Sequence, residues 1–320
     1  MSSLTISPEE EKRVKGLGFL NNKGTDNFSA RVLTVNGKIT AAQHRCIAEA
    51  AELFGNGNIT FTTRLSIEVQ GIPFDKIDDF RNYIAKEGLK TGGTGAKIRP
   101  IVSCKATTCK FGRLDSFAIS EEMHHRFFEG YNDVALPHKF KMAVGGCPNN
   151  CILHFLHPLH FSISWIGIIG QLVPIHDIEK CKGCKKCKIE QVCPMDACKV
   201  VDKKITRDTN ICNNCGRCVG KCPFGVVDEG TPGYKLYIGG RWGKKISIGK
   251  PLTTIFKTQE EVLDVMEKAI LLYKDQGIKG ERFEEIIKRI GFENIEEQLL
   301  DDDLLNRKDE ILNKELALAK

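Results

Sequence analysis

Cys181, Cys184, Cys187 and Cys193-Pro194 read C-x2-C-x2-C-x5-C-P, and Cys212, Cys215, Cys218 and Cys222-Pro223 read C-x2-C-x2-C-x3-C-P. Nothing else in the chain limits its fold as strongly as this doubling. Thiols two residues apart grip one polynuclear centre from a tight turn, and the proline closes the loop onto an extended exit. A pair of four-cysteine zinc sites is the competing reading. Zinc usually takes two separated cysteine pairs, however, and leaves the prolines unexplained. The chain holds fourteen cysteines in all. A secreted disulfide scaffold would be shorter and carry an export signal, whereas MSSLTISPEEEKRVKG has no apolar core. Metal-binding cysteines in a reducing, cytoplasmic setting are therefore expected.

The doubled run resembles the bacterial ferredoxin signature, in which the fourth cysteine of each run binds the other cluster. That resemblance implies one [4Fe–4S] cluster on Cys181, Cys184, Cys187 and Cys222, and a second on Cys193, Cys212, Cys215 and Cys218. Two clusters form an electron wire, and a wire implies a terminus where electrons are used. Two cysteines stand outside such motifs. Cys198 reads as a structural thiol and Cys46, inside an amphipathic helix, as a small buried apolar residue.

Cys104 and Cys109 read C-x4-C, and Cys147 and Cys151 read C-x3-C. Four thiolates from two loops suffice for a third cubane. Taken alone, four-cysteine zinc is a fair rival; the neighbouring wire tilts the balance to iron–sulfur. Just upstream lies LPHKFKMAVGGCPNNC. On an extended segment Lys139 and Lys141 share one face, while Phe140 and Met142 share the other. An arbitrary K-x-K is a solvated face, but this one runs straight into a cluster motif. A cluster beside converging ammonium groups describes a reductase for a small oxyanion, because positive charge binds the anion and delivers protons as oxygen leaves as water.

A length of 320 residues suggests about two domains. With 41% apolar and 28% charged residues the composition is that of an ordinary globular protein, and a net charge of +6 is too weak to argue for nucleic acid. Ile152–Val173 carries no formal charge and is long enough to span a bilayer. It contains three histidines, a proline and a glutamine, and cysteine motifs crowd both its ends, so a buried strand and loop is expected rather than a membrane span. Along the chain, RVLTVNGKIT (Arg31–Thr40) suggests a hairpin at Asn36-Gly37. Thr40 and Gln43 form a capping box for a helix ending at Gly55, and Ile59–Gln70 alternates as a single strand. A second helix uses Ile77, Phe80 and Ile84. A glycine-rich loop covers Thr91–Gly95, and Tyr234–Gly249 suggests a hairpin at Gly239-Gly240. The last seventy or so residues are amphipathic helix, with Val262, Val265, Met266, Ile270 and Leu271 as one stripe.

The C-x4-C and GCPNNC pair, LPHKFK, TTRLSIEVQGI and GAKIRPIVSC resemble the siroheme-dependent sulfite and nitrite reductase family. With the inserted ferredoxin module the chain is most similar to the catalytic C subunits of anaerobic sulfite reductases. The resemblance implies an α+β sulfite reductase half-fold. A ferredoxin-like module would fill residues 1–90 and a siroheme/[4Fe–4S] module residues 91–172 and 231–320, with a bacterial-type 2[4Fe–4S] ferredoxin domain inserted at 173–230. It implies siroheme and three [4Fe–4S] clusters, the third on Cys104, Cys109, Cys147 and Cys151, with Cys151 bridging to siroheme iron. It places the substrate-binding cations on Arg64, Arg99, Lys139 and Lys141. The implied reaction is sulfite to sulfide, with nitrite to ammonia as alternative. No nicotinamide or flavin fingerprint is evident, so a separate donor is expected, a flavin and iron–sulfur protein. Larger relatives carry two copies of the half-fold, which implies a homodimer with composite sites and neither nucleic acid nor membrane as partner. There are two departures. Many relatives have one residue more in the first pair, and they continue with a polar run after the last cysteine, where this chain has ILHFLHPLHFSISW. His154, His157 and His160 there fit neither a strand face nor, with Pro158, a helix. That segment motivates a reading of another class, a ferredoxin-like electron carrier with a degenerate siroheme site.

Overall fold

The computed structural model of the chain describes residues 6–152 and 165–318. The chain builds two compact units. One gathers the residues up to Ser103, Ala118–Ala143 and Val265 onward; the other gathers Cys104–Phe117 and Val144–Asp264.

The first unit contains a four-stranded antiparallel sheet. Its strands are β1 (Phe19–Asn21), β2 (Asn27–Val32), β3 (Ile59–Phe61) and β4 (Ile67–Pro73), in the order β1-β2-β4-β3. Helices Ala41–Phe54 and Ile77–Ala85 share one core with it. Ile47, Ala50, Ile77, Phe80 and Ile84 pack in the same buried cluster as Phe28, Ala30, Val32 and Val69. The capping box forms as the sequence requires. Thr40 Oγ1 accepts from the Gln43 amide at 3.1 Å, and Gln43 Oε1 accepts from the Thr40 amide at 3.0 Å. Cys46 is buried, with its Sγ 3.9 Å from the Tyr83 carbonyl.

Two local expectations change. Asn36 and Gly37 do adopt the left-handed conformations of a tight turn (φ 59° and 81°), but only Val35 and Lys38 bridge across it. Arg31 and Val32 are taken by β2, which pairs with β4 instead. Ile59–Gln70 is not one strand but two, folded back at Thr62–Ser66. The Thr62 amide donates to the Ser66 carbonyl at 2.9 Å, and the two hydroxyls lie 2.8 Å apart. Hydroxyl side chains offered the backbone a local turn that alternation alone does not reveal, and Phe61 is left 74% exposed.

Short strands β5 (Val102–Ser103) and β6 (Met142–Gly145) lie where the chain changes units. In the second unit β7 (Ile166–Pro174) pairs with β10 (Gly230–Ile238), and β10 with β11 (Lys250–Phe256), all antiparallel. The expected hairpin is present with its second strand displaced to β11, leaving residues 239–249 as the connection. Between β7 and β10 the cysteine-rich segment folds around a small core of Ile189, Cys198, Ile205, Val226 and Val227. Its hairpin is β8 (Cys198–Val201) and β9 (Lys204–Arg207). The strand expected within Ile152–Val173 is β7; His154, His157 and His160 lie outside the described residues. Among the described residues no helix is long and apolar enough to cross a membrane. The stripe Val262, Val265, Met266, Ile270 and Leu271 is buried along helix Gln259–Gln276.

Candidate metal and anion sites

In the first unit four of the sequence-selected cations come together. Arg64 stands in the β3–β4 turn and donates to the carbonyls of Pro100 and, at 3.4 Å, Met142. Arg99 donates from its side chain to the Gly93 carbonyl and from its amide to the Phe140 carbonyl at 2.8 Å. Its Nε is buried with no hydrogen-bond partner among the described residues. Gly93 takes φ 72°, and a Cβ there would lie 2.7 Å from Pro100, so glycine lets the loop close onto the I-R-P segment. Ile98 and Phe140 form a parallel bridge, which sets KIRP beside KFK.

Phe140 fixes the lysines. It is fully buried, with ring centroids 5.4 Å from Tyr273 and 5.1 Å from Phe283. Met142 is buried as well. Sinking residues 140 and 142 turns the half-buried Lys139 and Lys141 to the other side, as the alternation required. Burial then pushes the Lys141 ammonium down to about 7, and Arg64, Lys139, Arg99 and Arg282 push in the same direction. Lys139 is lowered by burial and by Arg282, Arg99 and Arg64. Even Arg64 and Arg99 fall, to about 9 and about 10, through burial first and neighbouring guanidinium groups after it. The charged groups that shift Lys141 most are all cations, and such a set is a strong attractor for an anion. Arg282 was missed by sequence reasoning. It precedes helix Phe283–Ile290, far downstream, and no motif marks it.

The second unit carries the motif cysteines. Cys147 is raised by burial, opposed by the Asn149 amide and reinforced by the thiols of Cys104, Cys151 and Cys109, so the two pairs share one neighbourhood. The Cys104 amide donates to the Val144 carbonyl at 3.1 Å, and the Gly146 amide donates to Cys104 Sγ at 3.1 Å. A Cβ on Gly146 would fall 1.8 Å from the Ala106 Cβ, so the second G of GGCPNNC has to lack a side chain. Cys151 is exposed.

In the cysteine-rich segment, Cys181, Cys184, Cys187 and Cys222 all line one cavity of about 220 Å³. Cys193, Cys212, Cys215 and Cys218 line a tighter crevice of about 10 Å³, together with Cys198. The crossed sets implied by the ferredoxin pattern are thus brought together. Among the described residues no three His, Cys, Asp or Glu side chains close in on a point that would suit a single metal ion. Cys218 is pulled down by its hydrogen bond with Cys198, with burial opposing and His176 assisting. Neither Cys198 nor His176 was selected as a site residue from the sequence.

Arg113 joins these loops. Its amide donates to the Gly146 carbonyl at 2.8 Å, and its Nε and Nη2 donate to the Cys215 carbonyl at 3.1 and 2.8 Å. Asn214 adds a second tie to β7, its side chain donating to Gln171 at 3.0 Å and its carbonyl accepting from the Leu172 amide at 2.8 Å.

A family model described as "Nitrite and sulphite reductase 4Fe-4S domain" matches residues 94–308, and one described as "Nitrite/Sulfite reductase ferredoxin-like half domain" matches residues 21–87. An uncharacterized protein of Methanocaldococcus jannaschii is 30% identical over 270 residues, 84% of this chain and 90% of that protein. The coenzyme F420-dependent sulfite reductase of the same organism is 28% identical over 249 residues, 77% of this chain but 38% of that protein. The crystal structure of dissimilatory sulfite reductase I matches with a TM-score of 0.66 at 20% identity, over 85% of this chain and 69% of that one. The mixed α/β fold with its ferredoxin-like half domain is therefore shared with sulfite reductases.

Proposed function

The chain belongs to the nitrite and sulphite reductase family, and from that premise we propose that it reduces sulfite to sulfide at a siroheme coupled to a [4Fe–4S] cluster, with electrons entering through the ferredoxin-like insert at 173–230. The observation that carries this reading is the joint made by Arg113. One side chain and its own amide tie the loop after Cys109, the GGCPNNC loop and the Cys212–Cys218 loop together. An electron carrier packed on the cysteines it feeds needs such a joint.

The residues present fit the clusters. Four thiols and no other cysteine line the 220 Å³ cavity, in keeping with a cubane on Cys181, Cys184, Cys187 and Cys222. The second cubane falls to Cys193, Cys212, Cys215 and Cys218, and the third to Cys104, Cys109, Cys147 and Cys151. An amide aimed at a ligand sulfur, as Gly146 is at Cys104, stabilises the negative charge of a thiolate-bound cluster. Because Arg113 holds the Cys215 loop, Cys193, Cys212, Cys215 and Cys218 would hold the cluster nearer the Cys104, Cys109, Cys147 and Cys151 loops. Cys151 would hold siroheme, which would supply an iron able to bind and reduce the substrate.

The chain's own residues do the rest. Arg64, Arg99 and Lys139 hold the oxygens of sulfite. Lys141, poised near neutrality, gains a proton as the anion offsets its cationic neighbours and gives it up as oxygen leaves as water. Functionally the chain divides into 1–90, 91–172 with 231–320, and 173–230. It works as a homodimer in which Cys104, Cys109, Cys147 and Cys151 of one chain face Arg64, Arg99, Lys139 and Lys141 of its mate. A separate flavin and iron–sulfur protein supplies the electrons in the cytoplasm.

Turnover of sulfite against nitrite with an artificial reductant tests the proposal. Sulfide from sulfite at the higher kcat/KM is expected. Higher kcat/KM for nitrite moves the protein to ammonia formation. Turnover of neither, with clusters intact, leaves the electron carrier as the surviving reading, which the ILHFLHPLHFSISW segment favours.

A further inference from the structure

The crevice of Cys193, Cys212, Cys215 and Cys218 has a fifth thiol in its wall, Cys198. A cluster of this type takes four. Cys198 is no bystander on the rim. It is 2% exposed and lines the same crevice as Cys218 and Cys193. Its place is fixed by β8, in register with Arg207 of β9, and by the Asp208 amide donating to the Ala197 carbonyl at 2.8 Å. Cys193 sits in a looser setting. It ends the short helix Lys188–Val192, and its run is two residues longer than the run of Cys222 (C-x5-C against C-x3-C). Asp196 between the two thiols takes φ 53°, a turn that brings Cys193 and Cys198 back toward each other. The other cavity offers a control within the same segment. Its wall holds four thiols and no fifth.

Resting on the reading that the insert carries two clusters, we propose that Cys198 is an alternative ligand of the second cluster, exchangeable with Cys193. In the exchange one iron–sulfur bond to Cys193 breaks and one to Cys198 forms. The thiol proton passes from Cys198 to Cys193, and no electron moves, so the cluster keeps its charge and oxidation state. Both thiols line one crevice and Cys198 is buried, so the exchange needs no opening to water.

The test uses the full chain, reconstituted anaerobically, with iron and acid-labile sulfide assays and the electron paramagnetic resonance of the reduced protein. Cys193→Ala and Cys198→Ala should each retain the wild-type iron content, with the Cys193→Ala signal of the second cluster shifted by its new ligand. The double variant should lose one cubane's iron and sulfide. Cys222→Ala, with no reserve thiol, should lose the first cubane outright. Cys193→Val is made alongside, so that an unfilled cavity is not mistaken for a missing ligand. The inference is overturned if Cys193→Ala and Cys193→Val both lose as much iron as the double variant. If the wild type holds no more iron than the Cys222→Ala chain, the two-cluster reading itself fails, which is a separate result.

Discussion

Lys141 is the group whose charge this site can most easily change. Its pKa of about 7 comes from burial and four cations, against roughly 10.4 for a free lysine. Between those values the unfolded chain binds the extra proton, so the anion-free protein should gain stability as pH rises from about 7 toward the ordinary lysine range. Nitrogen NMR of labelled Lys141 should titrate near neutrality, and Arg64→Leu, by removing the cation that lowers it most, should move the midpoint upward. An ordinary lysine midpoint in the wild type would contradict the account. Phe140 deserves the same attention for packing, since its ring holds the lysines in place. Phe140→Ala should cost about 3–5 kcal/mol in denaturant unfolding, and a loss below 1 kcal/mol would show that the aromatic contacts do not anchor the strip. The K-x-K face was legible because period two needs no partner to be read. Arg282 was not, because its role depends on where a distant helix starts. Cys198 was visible, but its place in the crevice was not. Spacing says which cysteines form a run, but not which strand turns a further thiol inward.

At the scale of elements, loops do the positioning. The sequence revealed the capped helix Ala41–Phe54, where side chain and backbone signals agree, and both cavity-lining cysteine sets. It misread Ile59–Gln70 because a hairpin with apolar residues on both arms keeps the alternation of a single strand. The error matters, since the fold-back at Thr62–Ser66 is what carries Arg64 to Pro100 and Met142. Arg113 is the element-scale residue with the largest consequence. Replacing it by leucine removes charged hydrogen bonds to the Cys215 carbonyl, worth about 1.5–3 kcal/mol. Arg113→Leu should therefore destabilise the protein by that order and slow reoxidation of the insert clusters by sulfite in stopped-flow absorbance, while leaving iron content unchanged. Reoxidation at the wild-type rate would mean that the joint does not serve electron transfer. Gly146→Ala belongs to the same scale. Its methyl group has no room beside Ala106, and the expected result is loss of the third cluster's iron, with the insert clusters retained.

At the scale of the whole molecule, the chain spans 38% of the F420-dependent enzyme it resembles. The proposed homodimer shares each site between two chains, and complementation reads it out. Chains with Cys151→Ser and chains with Lys139→Ala should each be inactive, and mixed dimers should regain roughly a quarter to a half of wild-type activity, as one of the two sites is then intact. No recovery on mixing would place both sets of residues within one chain. The central claim is more basic than assembly: thiols of this chain hold three cubanes and the base of a siroheme. Metal and absorption analysis of the anaerobically purified protein tests it most directly. The account predicts iron and acid-labile sulfide for three cubanes together with the visible bands of siroheme; zinc in their place, or a broad iron–sulfur shoulder without those bands, would contradict it.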